Sequence, residues 1–184
     1  ILAGDALLTH AFTLLASHET HPDPHVRADL VLRLSQAVGF AGMVGGQMID
    51  IGGKAALEDI GQITRMQRLK TGALISFACE SGALMGRASL QMRHALTNFA
   101  HDLGLAYQIV DDLLDFEGDP ALMGKAARKD EKAGKATFVT VLGPERARAQ
   151  AEILASQGAA HLDVFDEKAD LLCSLVSFVV NRRA

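Results

Sequence analysis

The chain has 184 residues, 49% hydrophobic and 22% charged, with a formal net charge of −4. That length suits one domain with a sizeable core, and the composition excludes a globally disordered, collagen-like or Pro-rich linker protein. The acidic balance argues against nucleic-acid binding through a basic face, and the longest uncharged run, 34–49, carries Ser35, Gln36, Gln47 and four glycines, so no membrane span is expected.

Ala and Leu dominate and strand-like alternation is absent, which predicts an all-α fold. The first helix is expected over 1–17, with Leu7, Leu8, Ala11, Leu14 and Leu15 at helical spacing. It opens in mid-pattern with no N-cap residue before it, so an N-terminal portion is expected to precede Ile1. Asp23 and Pro24 then supply an N-cap and a first-position proline. The second helix should turn Val26, Leu30, Leu32 (or Val31) and Leu34 inward. It leads into a glycine-rich stretch at Gly39, Gly42, Gly45 and Gly46, where small residues permit close approach. A third helix is expected over 57–70, a break or kink at Lys70-Thr71-Gly72, a fourth helix over 73–85, and a long fifth over 89–116. Residues 118–135 read as a loop rich in glycine and charge. Pro144 opens another helix, and a last one is expected over 168–183, with Arg182 and Arg183 in its final turn. No repeat or linker divides the chain, so one domain over 1–184 is expected. Cys79 and Cys173 lie in apolar helical contexts and read as buried thiols of a cytoplasmic protein.

Residues 108–115, QIVDDLLD, carry the most chemistry. At about 100° per residue, Gln108, Asp111, Asp112 and Asp115 occupy roughly a third of the helix circumference. Three carboxylates on one face repel one another, and partial burial raises that penalty. An acidic helix face is ordinarily just solvated, but this one lies among apolar stretches and calls for a cation. Mg²⁺ takes oxygen ligands, held by one or two carboxylates together with substrate phosphates. Lys125 and Lys135 each follow a glycine, and Lys70 stands beside Thr71. These are the parts of a metal–diphosphate site. His18, His21 and His25 lie within eight residues, with His21 and His25 flanking a Pro-Asp-Pro turn, and read as surface residues, while His94 and His101 read as partly exposed polar positions.

Four blocks, GMVGGQMIDI at 42–51, KTGALISFACESGALMG at 70–86, FAHDLGLAYQIVDDLLDFEGD at 99–119 and GKAARKDEKAGKATFVTVLG at 124–143, together with the opening ILAGDALLTHAF, resemble the C-terminal portion of a trans-isoprenyl diphosphate synthase of the farnesyl or geranylgeranyl type. The resemblance covers nearly the whole chain, in the family's order. It implies an isoprenoid-synthase-like helical bundle around a central cavity, usually a homodimer. It implies prenyl transfer between an allylic diphosphate (dimethylallyl or geranyl) and isopentenyl diphosphate, with Mg²⁺, or Mn²⁺ as a substitute. Asp111, Asp112 and Asp115 match the second aspartate-rich motif and its metal. Lys70, Thr71, Gln108, Lys125 and Lys135 match positions that contact the diphosphate or order the acidic cluster, Asp111, Asp112, Lys70 and Lys135 being the catalytic candidates. Gln47 and Asp50 match a GQ…D stretch lining the cavity. The family's first aspartate-rich motif, with its arginines, has no equivalent here, since Asp5 and Asp23 form no such cluster. The alternatives are a non-catalytic helical partner subunit and a class I terpene cyclase relative. Product length depends on residues near the first motif and is not readable.

Overall fold

The computed structural model describes residues 1–52, 59–117 and 136–182. Among these residues every regular element is helical: α1 (Leu2–Ala16), α2 (Pro24–Val38), α3 (Met43–Gly52), α4 (Ile60–Gln67), a π turn (Arg68–Gly72), α5 (Ala73–Met85), α6 (Leu90–Glu117), α7 (Phe138–Leu142), α8 (Pro144–His161), a 3₁₀ segment (Asp163–Ala169) and α9 (Asp170–Asn181).

The local signals act where the sequence places them. The Asp23 carboxylate accepts a hydrogen bond from His25 N at 2.9 Å, with Pro24 at the first helical position of α2. Ser89 Oγ accepts from Met92 N at the start of α6. Pro144 opens α8 behind Gly143, whose φ of +81° is the left-handed backbone that favours glycine. His21 Nδ1 accepts from Asp23 N and so helps shape its turn. His94 and His101 are exposed.

Several expectations shift. Leu32 points outward, 53% exposed, while Leu30, Leu34 and Val38 are buried. Residues four apart form one ridge of a helix, and Leu32 lies on the other side of it. The glycine-rich stretch holds a helix of its own, α3. The expected break at Lys70-Thr71-Gly72 is a widened π turn, so helical backbone continues from Ile60 to Met85. Leu57, expected in the third helix, lies outside the described residues. The short α7, closed by a reciprocal Thr137–Thr140 capping box, has no counterpart in the hydrophobic pattern. Arg182 has left α9 and adopts an extended conformation.

At about 1.5 Å per residue the 28 residues of α6 span roughly 42 Å. The other elements are arranged around it. Toward its acidic end, Ala106, Ile109, Val110 and Leu113 pack with Ile63, Met66, Phe138 and Leu154. Toward its start, Phe99 and Leu103 pack with Leu162, Val176 and Val179. Ala147, Ala151 and Ala155 line the buried side of α8, and side chains that small let α8 lie close along α6. Phe99 is fully buried, so Phe99→Ala is expected to cost about 3–5 kcal/mol of unfolding free energy, measurable by urea denaturation.

Helices α5, α6 and α9 line an open apolar cleft of about 580 Å³, formed in part by Ile75, Cys79, Phe99, Tyr107 and Phe178. Both cysteines are free and half-buried. Burial, and then the charge of Glu80, pushes the Cys79 thiol above its ordinary value. Thiolate is the nucleophile, so Cys79 is expected to alkylate with iodoacetamide more slowly than free cysteine at pH 8, and faster as pH rises. Mass spectrometry of the Cys79 peptide reads this. Alkylation as fast as that of free cysteine would contradict the burial argument. Helix α1 buries none of its residues, and Leu7 and Leu14 are 71% and 54% exposed.

Candidate active site

Three helical segments come together because glycines let their backbones touch. A Cβ placed on Gly46 of α3 would lie 2.3 Å from Lys70 N and 2.6 Å from Lys70 Cα. On α6, Gly104 faces Gly72, and a Cβ there would lie 3.3 Å from Gly72 Cα. The π turn is thus held between α3 and α6 at backbone contact, and it carries Lys70 and Thr71. A π turn inserts an extra residue and re-aims its neighbours, a device frequent at functional sites.

The side chains follow from that placement. Lys70 Nζ donates to Asp50 Oδ2 at 2.6 Å. The Asp50 side chain is 9% exposed and that of Lys70 32%. The lysine thereby neutralises a nearly buried carboxylate and still reaches the surface, where its remaining ammonium hydrogens can meet an anion. Thr71 Oγ1 donates to Gln108 Oε1 at 3.1 Å, which ties the π turn to the first residue of the acidic stripe. Gln47 stands three residues before Asp50 on α3 and is half-buried. Lys70, Thr71, Asp50 and Gln108 are therefore joined in two adjacent bonded pairs, with Asp111 one turn further along α6.

The acidic stripe is not uniform. The Asp111 side chain is 41% exposed, while Asp112 and Asp115 are buried. Asp112 Oδ2 accepts from the backbone N–H of Phe138 at 3.0 Å. It thus holds the start of α7 against α6, across 26 positions of sequence. Lys125 and Lys135 lie outside the described residues. Among the described residues no three His, Cys, Asp or Glu side chains converge into a closed metal nest.

A further residue joins the stripe that sequence reasoning placed elsewhere. Arg182 lies 3.5 Å from Asp111 Oδ1, donates to Tyr107 O at 3.3 Å, and stacks 4.1 Å from the centre of the Tyr107 ring. The sequence signal for it was the charge deficit itself: three acids called for a cation, and the lysines downstream were the evident suppliers.

The sequence profile of the family described as polyprenyl synthetase matches residues 1–169. The chain belongs to the polyprenyl synthetase family. Within that family it is similar to a dimethylallyltranstransferase from Fischerella ambigua, 39% identical over 99% of this chain and 53% of that enzyme. It is also similar to the farnesyl diphosphate synthase of Geobacillus stearothermophilus, 36% identical over 96% of this chain and 61% of that enzyme. A crystal structure of an FPP/GFPP synthase from Zymomonas mobilis superposes with a TM-score of 0.85 at 46% identity, over 97% of this chain and 59% of the other. A geranyltransferase from Helicobacter pylori, complexed with magnesium and isoprenyl diphosphate, superposes with a TM-score of 0.81 at 30% identity, over 98% of this chain and 58% of the other. The chain thus spans between half and two thirds of the length of these relatives. The polyprenyl synthetase fold is the all-α bundle expected from the motif order, and α3, the π turn and α6 carry the motif residues within it.

Proposed function

We propose that this polyprenyl synthetase is a trans-prenyltransferase that binds an allylic diphosphate at the junction of α3, the π turn and α6 and joins it to isopentenyl diphosphate. The observation that carries this reading is the tie between Thr71 and Gln108. It fixes the π turn, whose Lys70 is already paired with a carboxylate, to α6 one turn before the exposed Asp111. A solvated acidic face needs no such arrangement.

Mg²⁺ fits the donor chemistry, because it is held by one or two carboxylates plus phosphate oxygens and not by an all-protein cage. Asp111 offers an accessible hard oxygen, with Asp112 and Asp115 as the other motif carboxylates. Bound there, the metal supplies Lewis-acid stabilisation of the diphosphate. The chain's own residues do the rest. Lys70 donates to the diphosphate as its negative charge grows during carbon–oxygen cleavage, which is stabilisation directed at the transition state. Asp50 holds the Lys70 ammonium in place. Gln108 and Thr71 fix the spacing between the π turn and the acidic helix. The double bond of isopentenyl diphosphate attacks the allylic cation, and loss of a proton to the departing diphosphate restores an alkene. Apolar helices exclude the water that would quench the cation. Lys125 and Lys135, in the segment between α6 and α7, are proposed as further diphosphate contacts.

The exposed apolar side chains of α1 support a homodimer, which sedimentation analysis tests. No described helix is long and apolar enough to cross a membrane, and two free thiols suit a reducing cytoplasm. The test of the activity is a product assay on the full-length enzyme with isopentenyl diphosphate and either dimethylallyl or geranyl diphosphate, with and without EDTA. Metal-dependent formation of farnesyl or geranylgeranyl diphosphate is expected. Absence of any elongated product would favour a partner subunit without catalysis.

A further inference from the structure

The Arg182 side chain is 11% exposed, yet it lies one residue beyond the end of α9. A residue at such a place normally trails into water, where an arginine is best hydrated. Here its guanidinium turns back across α6 to the Asp111 carboxylate, with one face on Tyr107. Tyr107 and Asp111 are four apart on α6, so one helix face supplies both the ring and the charge. The seat is incomplete in one respect: Arg182 Nε is buried with no hydrogen-bond partner among the described residues. A guanidinium has five N–H donors in a fixed fork, and leaving one buried and unmade is costly. Arg182 is therefore held by the Asp111 charge, the Tyr107 ring and one carbonyl, and not by a closed set of bonds. Val176 and Val179 anchor α9 in the core, so the arginine can leave its seat without moving the helix.

We propose that Arg182 is the resident counter-ion of Asp111, holding that carboxylate while the site is empty and surrendering it when a divalent cation arrives with a diphosphate. This rests on the diphosphate reading of the site. The physical reason is competition: an oxygen that takes Mg²⁺ at about 2.0–2.1 Å cannot also keep a guanidinium at ion-pair distance without strong like-charge repulsion. Metal binding at the acidic stripe is thereby coupled to release of the Arg182 side chain. Arg182 is a positioning residue: it acts through Asp111 and not on the reacting atoms.

The chain carries its own reporter. Tyr107 is the only tyrosine of these 184 residues, so ultraviolet emission, taken as the difference from a Tyr107→Phe enzyme, reads the ring on which Arg182 is stacked. The experiment titrates the full-length enzyme with Mg²⁺ at fixed inorganic pyrophosphate, following that emission and, in parallel, calorimetric heat. Wild type, Arg182→Gln, Arg182→Lys and Asp111→Asn are compared. Wild-type emission is expected to change and saturate with the binding isotherm. Arg182→Gln should start at the released-state emission, stay flat, and bind Mg²⁺ up to about fivefold more tightly, the range open to a partly exposed ion pair. Arg182→Lys keeps a cation but loses the flat stack. It should bind more tightly than wild type by a smaller factor, which keeps the result readable should Arg182→Gln fold poorly. Equal or weaker Mg²⁺ binding in the Arg182 variants, or flat wild-type emission through a binding isotherm, overturns the proposal. Absence of any heat with wild type defeats the diphosphate reading itself. Heat that is present in wild type and lost in Asp111→Asn keeps that reading whatever Arg182 does.

Discussion

Asp111→Asn is expected to lower kcat for prenyl transfer by about 10²–10³-fold at saturating Mg²⁺, the loss typical of one preorganised charge-stabilising group. The change keeps the shape of the side chain and removes its charge. Asp111 is the exposed member of the stripe, 41% accessible, and its ion pair with Arg182 is worth only about 0–1 kcal/mol. Folding should therefore be almost untouched, and activity and stability should separate. For a chain of this length a change of 1 kcal/mol moves Tm by roughly 2–4 °C, so a Tm shift beyond that range would mean the variant reports on structure. Steady-state rates with isopentenyl and geranyl diphosphates, beside a thermal melt, make the comparison. Full prenyl transfer by Asp111→Asn at saturating Mg²⁺ would refute the metal role of this residue.

Gly46→Ala should act in the opposite sense, through structure first. The new Cβ would meet Lys70 N at 2.3 Å, Lys70 Cα at 2.6 Å and Lys70 Cβ at 2.8 Å. Two of those atoms are backbone and cannot swing away, so α3 and the π turn must part. Overpacking of this kind costs about 1–3 kcal/mol. The separation also pulls Asp50 from Lys70, because the two partners sit on the two segments being forced apart. The expected result is a lower Tm together with a raised KM for the allylic diphosphate. Gly52→Ala is the control, since a Cβ there meets nothing within 4 Å among the described residues. A Gly46→Ala enzyme with wild-type Tm and KM would show that α3 does not need this backbone contact.

These two expectations rest on different levels of information. Asp111 was legible as a candidate because the helical period alone sets it beside Asp112, Asp115 and Gln108. Gly46 was legible only as a small residue in a glycine-rich stretch. Which backbone it touches depends on Lys70, 24 positions away and on another element. The π turn shows the same limit. The sequence marks Lys70-Thr71-Gly72 as an irregularity, yet a break and a widened turn share that signature. Packing between Gly46 and Gly104 selects the continuous helix.

The identity of the helices other than α3 and α7, the Asp23–Pro24 cap, the length of α6 and the acidic stripe were determined locally, by propensity, capping and a period of 3.6, and those are properties of neighbours in the chain. The division of labour within the stripe was decided by the tertiary structure. Asp112 turns to the N–H of Phe138, Asp111 meets an arginine 71 positions away, and Lys70 is partnered by Asp50. No periodicity encodes those pairings. Each depends on which buried or half-buried charge finds a donor once the helices have packed, and that is settled by the closeness of backbones that glycine and alanine permit.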